Sequence, residues 1–153
     1  MIYNVLFVVV VVLLLYFILR RIETFNQELD PKLYELKAIL EPMFDPAITR
    51  TGILSCMNGR CIMDELSLFK GNKSYTFNKE DIYLCLRDKN GKYYSNNVLI
   101  YVLLHELAHA LNLVDTGHTD TFNAIFAALL IEAEERGIYD SSIPMVDDYC
   151  GHV

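Results

Sequence analysis

The sequence predicts a small α+β domain, with a short sheet, an apolar helix carrying the chemistry and a second helix after it, behind an N-terminal transmembrane helix. Three observations carry this prediction. Ile2 to Leu19 is almost wholly apolar. Between Ile48 and Arg87, short β-prone segments alternate with turn signals such as Asn58-Gly59 and Lys70-Gly71-Asn72-Lys73. From Ser95 onward the apolar period becomes helical, and the first helix contains His105-Glu106-Leu107-Ala108-His109.

The chain has 153 residues, enough for one domain and too few for two. Its formal net charge is −7 with no basic stripe, which disfavours direct nucleic-acid binding. The four cysteines, Cys56, Cys61, Cys85 and Cys150, are not spaced as a dense disulfide framework.

In chain order, the eighteen residues from Ile2 to Leu19 would reach roughly 27 Å as a helix, close to a hydrocarbon core. A cleaved signal peptide fits less well, because no basic residue precedes the run and no small-x-small site follows it. Arg20 and Arg21 then place the rest of the chain on the cytoplasmic side, giving a single-pass membrane protein with a cytosolic domain and mostly reduced cysteines. The expected organisation is an anchor over 1–21, a linker and scaffold helix over 22–47, and the chemistry-bearing domain over 48–153.

Asp30-Pro31 is an N-cap and first-turn pair, and Leu33, Leu36, Ile39, Leu40 and Met43 form one apolar face that Pro42 and Pro46 end. Ile53–Met57 and Cys61–Met63 flank Asn58-Gly59 and suggest a hairpin. Cys56 and Cys61 would face each other across it as small apolar strand residues; Cys-x4-Cys alone is loose evidence for a structural metal site. Leu66–Phe69 continues or adds a strand, Ser74–Phe77 is β-prone, an ordinary core strand by default and otherwise a sheet edge, and Asp81–Arg87 alternates as a central strand. Ser95, Asn96 and Asn97 offer caps for the HExxH helix. The next helix, from about Thr119 to Arg136, is capped by Thr119 or Asp120, buries Phe122, Ile125, Phe126, Leu129 and Ala133, and stops at Gly137. An irregular tail follows.

Four-residue spacing puts His105 and His109 on one helical face, where they can hold one ion. Zinc suits such a pair, with three protein ligands and a water in catalytic sites. Three polar groups in an apolar helix need compensation, and metal coordination supplies it. The third ligand is His118, returned by a turn at Thr116-Gly117, or else Glu132 on the following helix. Glu106 is the catalytic base that takes a proton from the zinc-bound water and passes it to the leaving amine. Tyr75, Tyr101 and Tyr149 are unranked candidates for stabilising an oxyanion. This reading makes the chain a membrane-anchored zinc metallopeptidase acting on protein or peptide, with the membrane as its partner through residues 2–19. The alternative is a catalytically silent, zinc-stabilised structural protein of a viral or host membrane.

The stretch Tyr83–Phe122 resembles the WLM and SprT-like metallopeptidases in its strand IYLCLRD, then GKYYSNN, VLLHELAHAL and GHTDTF. Taken from Ser74, the arrangement looks most like the short, N-terminally anchored WLM-like proteins of large DNA viruses. The resemblance implies a zincin-like fold, metal roles for His105, His109 and His118, and acid/base catalysis by Glu106. The His109 to His118 gap is longer than in better-known WLM proteases, and the chain has no room for the DNA-binding regions of cellular relatives.

Overall fold

The computed structural model describes residues 7, 9–19 and 30–150. The expected transmembrane anchor is not supported. Among the described residues no helix is long and apolar enough to cross a membrane. The single-pass membrane location falls with the anchor. Residues 1–6, 8, 20–29 and 151–153 lie outside the described residues, including the Arg20-Arg21 pair that set the expected orientation.

Helix α1, Pro31–Leu40, starts where expected: Asp30 accepts from the Lys32 amide at 3.0 Å, and Pro31 occupies the first turn. It buries Leu33, Leu36 and Leu40, and a 3-10 turn over Glu41–Met43 ends it. These residues join the same core as the rest of the domain.

The hairpin expected across Asn58-Gly59 does not form. Gly52–Met57 is a 3-10 helix, and Ile62–Glu65 is a short helix, α2. The turn itself is present: Arg60 N donates to Met57 O at 3.1 Å, with Asn58 at φ −62, ψ 128 and Gly59 at φ +69. Those angles match a type II turn, whose twist splays flanking strands instead of pairing them.

Three strands follow: β1 (Ser67–Lys70), β2 (Tyr75–Phe77) and β3 (Asp81–Leu84). The order is β1-β3-β2, with β1 parallel and β2 antiparallel to the central β3. Between β2 and β3, Asn78 and Lys79 both adopt positive φ, as a type I′ turn requires. Ile82 and Leu84 point into the core. On the other face the Tyr83 ring stacks between Tyr75 at 4.6 Å and Phe69 at 5.0 Å.

Helix α3, Asn96–Leu111, is capped by Ser95, which accepts from Val98 N. It packs against the sheet and against α4, Asp120–Glu135, and is buried around most of its circumference. Thr119 caps α4 by accepting from Phe122 N at 3.2 Å, and the helix buries Phe122, Ile125, Leu129 and Ala133. The tail folds back over the sheet and is fixed by a Cys85–Cys150 disulfide, so the expectation of mostly reduced cysteines does not hold for this pair. Cys56 and Cys61 are free and exposed.

Candidate metal centre

The site begins with helical periodicity. His105 and His109 leave one face of α3, one turn apart. The helix ends at Leu111, and the buried Asn112 organises the reversal. Its side-chain oxygen accepts from the amides of Val114 at 3.3 Å and Asp115 at 3.4 Å, and its side-chain amide donates to Asp115 Oδ1. Asp115 Oδ1 also accepts from Thr119 Oγ1 at 2.7 Å, tying the loop to the start of α4. Gly117, at φ +85, supplies the left-handed residue the reversal needs. The chain thereby brings His118 back to the histidines of α3.

His118 Nε2 lies 3.0 Å from His105 Nε2 and 3.2 Å from His109 Nε2. The three imidazoles offer donor atoms that could together hold a metal ion. The buried Phe122 ring backs all three, at centroid distances of 4.9 Å from His105, 4.2 Å from His109 and 4.8 Å from His118. That packing limits the ring orientations available to the histidines.

Burial, followed by the neighbouring His109 and His118, lowers the His105 pKa to about 4. Burial lowers that of His109 as well, assisted by His118 and the Lys79 ammonium. At neutral pH these two imidazoles are therefore uncharged, the form that binds metals. Glu106 is 5% exposed, and its burial raises the carboxyl pKa, partly offset by a hydrogen bond from Thr76.

An open cleft of about 850 Å³ lies over the histidines, walled by Ser74, Tyr75 and Thr76 on one side and by Thr116, Gly117 and His118 on the other. Glu106 lines its floor with His105 and His109. Lys79 reaches the carboxyl end of α3 and donates to the carbonyls of His109, Asn112 and Asp115.

The rival ligand Glu132 is elsewhere: it does not line the cleft and pairs with Arg50 and Arg136. Of the three tyrosines, only Tyr75 lines the cleft. Tyr101 packs on Phe126 and Tyr139. Tyr149 donates to the Cys85 carbonyl at 2.6 Å and meets Ser74 Oγ at 2.8 Å, and burial pushes its pKa up to about 12. Its proton is already committed inside the protein. Thr76 and Lys79 are the site residues that sequence reasoning missed. The only sequence signal for Thr76 was its place in a β-prone segment, and for Lys79 its place in a polar turn.

The chain is 47% identical over 122 residues to the uncharacterized protein 136R of Invertebrate iridescent virus 6, an alignment covering 75% of this chain and 68% of that protein. It is also 47% identical over 100 residues to the uncharacterized protein 042R of Invertebrate iridescent virus 3, covering 65% of this chain and 62% of that one. No family model matches the chain. No solved structure matches it.

Proposed function

The chain belongs to the family of the iridescent-virus protein 136R, and for this member we propose a zinc-dependent metallopeptidase that hydrolyses peptide bonds in a protein or peptide substrate. The observation that carries this reading is the convergence of three imidazoles with a buried glutamate on the floor of one open cleft. The donor set fits zinc. Tetrahedral zinc with bonds of about 2.05 Å needs nitrogens about 3.3 Å apart, and the Nε2 separations of 3.0 and 3.2 Å lie close to that. Three imidazole nitrogens are also a known catalytic ligand set, leaving the fourth position open. His105, His109 and His118 would hold the ion.

Zinc at that position would supply Lewis acidity, polarising a carbonyl and making water more acidic. Glu106 supplies the proton handling. Its carboxylate accepts the proton of the attacking water and returns it to the departing amine. The burial that raises its pKa suits it to carry the proton between these steps. The WLM-like resemblance supports the same assignment of roles, and the chain's acidity keeps nucleic acid out of the substrate class.

The test uses the full-length chain and its Glu106→Gln variant, with metal content by mass spectrometry and cleavage of a broad peptide library. Both proteins should carry one zinc. Only the unsubstituted chain should cleave, the variant losing at least about 100-fold. A zinc-loaded chain that cleaves nothing would sink the peptidase reading and leave a zinc-stabilised structural protein.

A further inference from the structure

Strand β2 turns one side chain toward the active-site helix, and that side chain is Thr76. Its neighbours Tyr75 and Phe77 point the other way and are 47% and 54% exposed. Thr76 Oγ1 lies 2.8 Å from Glu106 Oε2 and 2.9 Å from the Glu106 main-chain carbonyl, a span of 30 residues in sequence. Among the described residues the other carboxyl oxygen, Oε1, has no hydrogen-bond partner. It is not sealed off, because among the described residues no buried side-chain oxygen or nitrogen lacks a partner. With Glu106 lining the cleft, Oε1 is the oxygen left open to it.

We propose that Thr76 is the positioning residue for Glu106, clamping Oε2 so that Oε1 is presented to the cleft beside the three histidines. The inference rests on the peptidase reading for its purpose and on the two Thr76 contacts for its geometry. A glutamate on a helix has several rotamers of similar energy, and only some aim at a reacting water. A hydrogen bond to one oxygen removes that freedom before substrate arrives, which is how a supporting residue contributes to rate. Thr76 is itself well fixed. Its backbone pairs opposite Ile82 in the sheet, and a β-branched side chain is stiff at χ1. The same hydroxyl also lies against the Glu106 carbonyl, its single proton shared between that carbonyl and Oε2, so strand and helix set the carboxyl position together.

The test compares full-length, zinc-loaded wild type with Thr76→Val and Thr76→Ser. Valine keeps the shape and loses the hydroxyl; serine keeps the hydroxyl. On a cleaved peptide, Thr76→Val should lower kcat about 10–100-fold with KM and zinc content unchanged. Thr76→Ser should recover most of that loss. In the crystal structure of the zinc-loaded valine variant, the Glu106 carboxyl should be turned from its wild-type position. A valine variant with wild-type kcat, or a serine variant as slow as the valine one, overturns the proposal. An unmoved carboxyl overturns it whatever the rates. If the wild type cleaves nothing, the peptidase reading fails and the crystal structure alone decides the positioning role: displacement of Glu106 upholds it, and an unmoved carboxyl removes it.

Discussion

Glu132 pairs with Arg50 at 2.8 Å and with Arg136 at 2.9 Å. Its burial would raise the carboxyl pKa, but the Arg50 hydrogen bond and the charges of both guanidiniums outweigh it and hold the group below the usual range. A carboxylate so committed has little left to offer a metal, which leaves His118 as the third ligand of the proposed site. His118→Ala should therefore lose zinc, while Glu132→Ala should keep it and lose about 3 kcal/mol of stability, because it leaves the Arg50 charge nearly buried and unpaired. Metal analysis and thermal melting on the same samples separate the two effects. A zinc-free Glu132→Ala chain with a normal melting temperature would reverse the ligand assignment. His105, Glu106 and His109 were legible in the sequence because helical period alone puts them together. His118 was legible through the Gly117 turn. Thr76 was not, because strand register decides which residue of Ser74–Phe77 faces the helix, and a one-residue slip would exchange Thr76 for Tyr75 or Phe77.

Elements were legible where a cap or a period marked them. Asp30-Pro31, Ser95 and Thr119 begin their helices as read. The segment around Asn58-Gly59 was misread because a turn signal does not state its turn type, and the twist of a type II turn left the arms to become short helices. Between β2 and β3 the turn does close a hairpin, at the cost of holding Lys79 at φ +62, an uncommon conformation for a lysine. That conformation delivers the Lys79 ammonium to the last carbonyls of α3, where a cation is favoured by the helix dipole. Lys79 thus joins the β2–β3 turn to both the His109 end of α3 and the loop that carries His118. Lys79→Met, which keeps the length and removes the charge, should cost about 1–2 kcal/mol of stability. It should also weaken zinc retention several-fold, because the His118 loop loses its anchor. Competition with a chelator measures the second effect. Zinc retention equal to wild type would show that the Asn112–Asp115–Thr119 bonds hold the loop unaided.

Across the whole molecule, the tail is fixed to the sheet at one point by a covalent bond and around it by polar contacts. Cys150 bonds to Cys85, the residue after β3, across a sequence separation of 65. Next to it Tyr149 touches Ser74 and the Cys85 carbonyl, and the Tyr94 hydroxyl accepts from Cys150 N at 2.9 Å. The sequence could not have named this pair, since four cysteines offer six possible single bonds and none is marked by spacing. Closing a loop of that length removes disorder from the unfolded chain worth about 4 kcal/mol. Reduction with a phosphine, which does not compete for zinc as a dithiol would, should lower the thermal midpoint by roughly 10 °C. A Cys85→Ala, Cys150→Ala double variant should match the reduced protein. Zinc content should not change, because among the described residues the hydrogen bonds and ring contacts of the three histidines do not involve the tail. The cleft wall should respond, because Ser74 lines the cleft and accepts from Cys85 N at 3.0 Å as well as meeting Tyr149. Hydrogen exchange at the Cys85 amide should therefore rise on reduction while the amides of α3 stay protected. An unchanged midpoint would mean that Tyr94 and Tyr149 hold the tail without the covalent bond. Faster exchange throughout α3 would mean that the disulfide supports the whole core and not the tail alone.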